Sequence, residues 1–459
     1  MILYGPSKKV LLVLSMPLIF SNIMATLYSL ADGVWLSRLS YTQFAATSLT
    51  WPLLFLFISI AIGISVAGTS IISQMIGAGK KDRASKYANN LIIISIFMGI
   101  IFSIMGYFLA NPIIRLMGAK DDLLKHSTTY LKVNSLGFLI DNLYFAFQAI
   151  LNAQGNTKST TTMGITSGLL NILLDPFFIF AKVPFIGLPG LNLGVAGAAL
   201  ATLLAKFVAL IIGFIVIRKN QSEVEVNGST MKYESSFARH LMRLAIPTAI
   251  GRSSAALGFT VMNAIIVSYG QELVAAFSMV NRITDFWMQI SMGISAAMTA
   301  MIGQNMGAGN YSRARQIVKD ASFMTLISSA VGMLIVGFFP KELLSIFIDI
   351  EKDVDVYKIA MEYIPYAVAI EPFMGFFNIF QGAFQGVGQM KYSMHMSTGR
   401  LWFIRVPFVL FMQNFTQVGR VAIWISMLIS NVLIVIYSYY IYQKKDIIPK
   451  EGGNVKHTN

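Results

Sequence analysis

The sequence predicts an all-α polytopic membrane protein of about twelve transmembrane helices, built as two parallel six-helix repeats. Three observations carry this expectation. The chain of 459 residues is 55% hydrophobic and only 12% charged, whereas a soluble domain carries about 25% charged residues. Apolar runs of about 20 residues, the length that crosses a bilayer, recur along it. Short motifs of the first half return in the second at a nearly constant offset.

The apolar runs lie near 10–36, 44–76, 88–110, 127–153, 159–181 and 192–217, then near 241–269, 274–305, 316–339, 356–386, 392–413 and 420–442. The first begins after Lys8 and Lys9 and continues to about Trp35, too long for the core of a signal peptide, so it reads as the first span. Between the halves, "RKNQSEVEVNGSTMKYESSFARH" (Arg218 to His240) is the longest polar stretch. The expected division is a six-helix lobe over 1–217, a cytoplasmic linker over 218–240, a second six-helix lobe over 241–442 and a cytoplasmic tail over 443–459.

Basic residues set the orientation. Lys8 and Lys9, the Lys80–Lys86 cluster, Lys158, the linker, Arg313, Arg315, Lys319, Lys391, Lys444 and Lys445 all fall on one side if every run spans. That side is expected to be cytoplasmic, with both termini inside a cell (inner) membrane. The net charge of +14 is spread over these short loops, which argues against nucleic acid as a partner. With no cysteine, disulfides and thiolate metal sites are excluded.

The halves repeat. "SQMIGAGKKDRA" from Ser73 matches "GQNMGAGNYSRA" from Gly303, an offset of 303 − 73 = 230. "QAILNAQGNTKS" from Gln148 pairs with "QGAFQGVGQMKY" from Gln381, offset 381 − 148 = 233, and Pro17 aligns with Pro247, offset 230. Six spans per repeat leave both halves in the same orientation, related by an axis along the membrane normal, which puts a substrate path at the repeat interface. "GAGKK" at Gly77 lacks the first glycine and the Ser/Thr of a phosphate loop, and its copy "GAGN" lacks the lysine. Both read as helix ends on cytoplasmic loops. There is no H-E-x-x-H and no Ser–His–Asp arrangement, so no enzyme, catalytic residue or cofactor is expected.

Ionisable groups at bilayer depth are costly and therefore mark function. In the first half these are Asp32, Asp141 and Asp175. At about 1.5 Å per residue, Asp32 lies roughly 9 Å in from Arg38 and Asp175 roughly 10 Å in from Lys182. Asn171, one turn deeper on the same helix face as Asp175, and Thr202 on the returning helix both lie near 15 Å by the same measure. Pro176 has no N–H, so it leaves the Ile172 carbonyl without its helical partner. Two carboxylates, an amide oxygen, a hydroxyl and a freed carbonyl form a hard oxygen-donor set for a small cation; equally, two coupled carboxylates can hold a proton. Asp141, near the middle of the fourth span, is either a proton relay or bonded locally to Asn142 or Tyr144.

"LDPFF" aligns with "RVPFV", so Asp175 corresponds to Val406 and Asp32 to Met262; the second lobe drops both acids. Its own buried charges, Arg252, Asp285, Glu371 and Arg405, are two of each sign and suggest ion pairs, with Glu371 beside Pro372 the best functional candidate. Pro17 is expected to kink the first helix, and both it and Pro176 are candidate hinges. Tyr28, Trp35, Trp51, Trp287 and Phe384 are candidates to line an adaptable apolar cleft.

These features together resemble the multidrug and toxic compound extrusion family. The resemblance covers nearly the whole chain, through "SMPLIFSNIMATLYSLADGVWLSRL", "QMIGAG", "QAILNAQGNTK", "NILLDPFF", "LGVAGAALAT" and "GAFQGVGQMK". It implies a V-shaped pair of lobes working by alternating access and export of organic, mostly cationic amphipathic compounds in exchange for H+ or Na+. It also implies a cation or proton site at Asp32, Asn171, Asp175 and Thr202, with Pro17 as a pivot. A scheme with key acids in the second lobe would need one on the seventh helix, which has none; only Glu371 echoes it. The expected partners are small organic molecules and the bilayer, with the protein acting as a monomer. The alternative reading is a flippase of lipid-linked oligosaccharides or lipids from the same broader superfamily.

Overall fold

The computed structural model describes residues 1–219, 224–226 and 231–449, apart from the side chains of Leu39 and Tyr41. The rest of the expected linker and tail lies outside the described residues. The chain is helical throughout, in the order α1 (Ser7–Leu39), α2 (Tyr41–Gly77), α3 (Lys81–Leu116), α4 (Asp121–Leu136), α5 (Phe138–Ala153), α6 (Thr157–Ile179), α7 (Val195–Lys219) and α8 (Ser235–Val267). It continues with α9 (Gln271–Gly307), α10 (Tyr311–Phe338), α11 (Pro340–Ser345), α12 (Val354–Val387), α13 (Met390–Thr398), a π-helical segment (Gly399–Arg405), α14 (Val406–Phe415) and α15 (Val421–Lys444). Among the described residues the one β-type pairing is an isolated bridge, Lys182 to Pro189.

Ten of these helices are long and apolar enough to cross a membrane, and α4 with α5 makes an eleventh, bent by 46°. The bend falls at Gly137, whose N–H bonds the Asn134 carbonyl at 2.9 Å and where a Cβ would overlap the Leu203 side chain of α7. The run α13–π–α14 is continuous over Met390–Phe415, about 39 Å at 1.5 Å per residue, which spans a bilayer core of about 30 Å. Twelve crossings in two groups of six therefore fit the chain.

Two compact units form. One is Phe20–Ala249, and the other joins Met1–Ile19 to Ile250–Asn459. The division does not fall in the polar linker. It falls inside α1 and inside α8, two residues after Pro17 and two after Pro247, and the crossover recurs at the repeat offset, 250 − 20 = 230. A proline interior to a helix removes a hydrogen bond and clashes with the preceding turn, so each crossover sits just past the weakest point of its helix.

Each transferred segment is tied down by contacts its own unit provides. In the second unit, Ser7 bonds Asp320, Lys8 stands 4.9 Å over the Phe323 ring, and Arg313 donates to the Ile2 carbonyl at 2.9 and 3.1 Å. A Cβ at Gly293 would meet the Ile19 backbone nitrogen at 3.0 Å. In the first unit, Tyr87 and His240 meet at 2.8 Å, Lys86 pairs with Glu234 at 3.1 Å, and the Glu234 N–H donates to Asn90. Gly63 lies so close to Ala249 that a Cβ would sit 2.8 Å from its backbone nitrogen. Small residues such as Ala67, Ala84, Ala88, Ala146 and Ala149 fill the core of this unit, allowing the close helix approach that packing in lipid relies on.

Candidate cation site

The first unit assembles the polar cluster expected from the sequence. α6 carries Asn171 and Asp175 one turn apart, and both are buried. Asn171 Nδ2 donates to Asp175 Oδ1 at 3.1 Å and to Thr202 Oγ1 on α7 at 3.1 Å, while the Thr202 hydroxyl donates to the Ala198 carbonyl at 3.1 Å. The Asp32 carboxyl of α1 is a near neighbour of that of Asp175, close enough for the two to act on each other electrostatically. Four side chains from three helices thus converge.

The bonding has a direction. Asn171 uses its amide N–H groups on Asp175 and Thr202, so its Oδ1 is left without a donor, as are Asp32 Oδ1 and Asp175 Oδ2, all three buried. Buried polar atoms are nearly always satisfied, and two neighbouring carboxyl groups favour a proton or a cation between them. Three unpaired oxygens and a hydroxyl make a hard-donor set, the chemistry that suits H+ or Na+. Among the described residues no three His, Cys, Asp or Glu side chains gather as a transition-metal site would need.

Pro176 lies inside the last turn of α6. α6 stops three residues beyond it, and the loop that follows folds back so that the N–H groups of Leu191, Leu193 and Gly194 satisfy the carbonyls of Phe177, Phe178 and Ile179. This backfilling lets a helix terminate at depth without orphaned carbonyls.

Asp141 differs from expectation. The break at Gly137 puts it in the first turn of α5, where the helix dipole favours a carboxylate. Its partner is Lys206 on α7, with Nζ 2.6 Å from Oδ1. Asn142 instead bonds the Phe138 carbonyl. Lys206 was missed by the sequence reading, although a scan for basic residues at membrane depth would have found it one turn beyond Thr202. Tyr28 of α1, one turn before Asp32, feels the charges of Lys206, Asp141, Asp32 and Asp175 together and packs against Gly168 of α6.

In the second unit the expected ion pairs do not form. Among the described residues no salt bridge joins Arg252, Asp285, Glu371 or Arg405 to one another. Arg405 donates to Ser430 at 2.9 Å, Arg252 Nε has no partner, Glu371 feels Asp285 as a like charge, and the charge that acts on Asp285 is Arg282. The cleft candidates divide. Phe384 is fully buried in a core cluster, packed against Tyr392, and lines no open cleft. Trp287 packs on Gly332, Trp35 lies edge-on to Phe180 and beneath Arg38, and Trp51 is exposed beside Phe55.

Known proteins share this architecture. The chain is 23% identical over 439 residues to a probable multidrug resistance protein, YoeA, of Bacillus subtilis, covering 94% of this chain and 93% of that one. It is 25% identical to an FAD transporter of Shewanella oneidensis, covering 96% of each. A crystal structure of MATE in complex with MaL6 superposes with a TM-score of 0.90 at 24% identity, over 97% of both chains. The MatE family model matches residues 17–177 and 247–411, one match per repeat, starting at the two prolines 230 residues apart. A twelve-helix chain with that doubled signature belongs to the MatE family of membrane transporters.

Proposed function

We propose that the protein is a multidrug efflux antiporter of the cell membrane, exporting organic, mostly cationic amphipathic compounds in exchange for H+ or Na+ by alternating access. The observation that supports this reading is the clustering of Asp32 with Asn171, Asp175 and Thr202, where Asp32 Oδ1, Asn171 Oδ1 and Asp175 Oδ2 are buried without donors. A proton shared between the carboxyls, or Na+ among Asp32, Asp175, Asn171 and Thr202, neutralises the site. Losing it leaves two like charges that push α1 and α6 apart. Because α1 passes into the other unit just beyond Pro17, a change in its bend is felt in both units, and Pro17 serves as the pivot.

Efflux from proteoliposomes tests the reading. An outside-acid pH gradient or an outside-high sodium gradient, imposed separately, is expected to drive export of ethidium, and Asp32→Asn and Asp175→Asn are expected to abolish it. Undiminished ion-driven export by either variant overturns the assignment of the site.

A further inference from the structure

The spans of the second repeat that correspond to α6 and α7 carry buried positive charge. In the first repeat the fifth and sixth spans, α6 and α7, are joined by Asn171 and Thr202 at 3.1 Å. In the second repeat the corresponding spans are the α13–π–α14 run and α15. They are joined by Arg405 Nε to Ser430 Oγ at 2.9 Å and by Arg400 Nη1 to Asn431 Oδ1 at 3.3 Å. Where one repeat presents buried carboxylates, the other presents two buried guanidinium groups, 4% and 3% exposed.

The π-helix makes this possible. In an α-helix, residues five apart point about 140° away from each other. The i→i+5 bonding of a π-helix widens the turn, and such segments occur mostly at functional sites. Gly399–Arg405 is π-helical, so Arg400 and Arg405 both turn inward toward α15, while Phe403 between them is 78% exposed.

Neither arginine is neutralised. Among the described residues no carboxylate lies within ion-pair distance of either, and the charge that acts on Arg400 is Arg405, which repels it. Arg400 rests on the Phe377 ring at 4.3 Å and donates to Met374 Sδ, but its Nε has no partner. Among the described residues the Arg405 side chain donates one hydrogen bond, to Ser430. A guanidinium has five N–H donors in a fork suited to carboxylate or phosphate, and isolated buried charges in a membrane protein are costly enough to mark a ligand path.

We infer that Arg400 and Arg405 form an oxyanion subsite that takes the phosphate or carboxylate group of an amphipathic substrate. The subsite rests on the transporter reading but not on which ion drives it, and binding measured without any gradient separates the two. The probes are dodecyl phosphate, dodecyltrimethylammonium and inorganic phosphate, added to the full-length protein in neutral detergent, with binding read by tryptophan fluorescence.

Dodecyl phosphate is expected to bind, and Arg405→Gln and Arg400→Gln are each expected to weaken it about ten- to hundredfold, the range for losing a charge-assisted hydrogen bond. Dodecyltrimethylammonium binding should be unaltered. Should the Gln variants fail to fold, Arg405→Lys keeps the charge and loses the fork, and is expected to weaken dodecyl phosphate severalfold. Binding of inorganic phosphate with the same arginine dependence would support the subsite for free anions. Nanodiscs of phosphatidylglycerol competing with dodecyl phosphate, where phosphatidylcholine does not, would identify a lipid headgroup as the source. Equal dodecyl phosphate affinity in wild type and the arginine variants, or none in wild type, overturns the proposal.

Discussion

Lys206 and Asp141 meet at 2.6 Å between α7 and α5, and Lys206 stands one helical turn beyond Thr202 on the same helix. A single helix therefore carries the hydroxyl that accepts from Asn171 and the positive end of a buried ion pair. Of the three acids the sequence places inside the spans of the first unit, Asp141 has its counter-charge in Lys206, which leaves Asp32 and Asp175 as the pair without one.

Breaking that ion pair should cost more than removing it. Lys206→Met leaves Asp141 uncompensated and is expected to destabilise by about 3–5 kcal/mol, as for other buried pairs with one partner deleted. The double variant Asp141→Asn with Lys206→Met should recover much of the loss. Thermal unfolding in detergent checks both; a double variant no more stable than the single would show that the two groups are not coupled.

Thr202→Val keeps the shape and deletes the hydroxyl that accepts from Asn171. Losing one such hydrogen bond costs about 1 kcal/mol, so ion-driven efflux should fall severalfold rather than vanish. Asp175→Asn should abolish it. Equal efflux rates in the two variants would contradict this ranking.

Gly63 and Gly337 should respond oppositely to alanine. A Cβ at Gly63 would sit 2.8 Å from the Ala249 backbone nitrogen, whereas nothing lies within 4 Å of one at Gly337. Gly63→Ala is expected to destabilise by about 1–3 kcal/mol through overpacking. Gly337→Ala should stabilise by about 0.5 kcal/mol through lower backbone entropy. Melting curves of the two variants measured side by side would reveal any departure.

In the second unit, Trp424 should matter more than the ion pair beside it. Arg420 forks onto Glu362, with both side chains partly exposed, and Trp424 Nε1 donates to the same carboxylate. Trp424 is fully buried, with its ring 4.0 Å from that of Tyr363 and 6.0 Å from that of Phe277. Arg420→Ala is expected to cost about 1 kcal/mol or less, and Trp424→Ala about 3–5 kcal/mol. Chemical denaturation would expose a reversal of that order.

Residue order alone determined the twelve crossings, their pairing at an offset of 230, and four polar side chains that the structure brings together, Asp32, Asn171, Asp175 and Thr202. Each of these depends on length, apolar pattern and distance along a helix, which a one-dimensional string records. Spacing along a helix is legible because every helical residue advances by about 1.5 Å. Direction around the helix is not, since it depends on where neighbouring helices lie and how the turns are wound.

Only the tertiary structure could pair Lys206 with Asp141, because that contact depends on how α5 packs against α7. It also withheld the expected ion pairs of the second unit and enclosed Phe384 in the core. Likewise, the π-helical winding at Gly399–Arg405 brings Arg400 and Arg405 to one side, and packing rather than linker composition passes α1 and α8 from one unit to the other. The physical reason is common to all of these: which groups meet is settled by rotation and packing between helices, and those are properties of the assembled bundle.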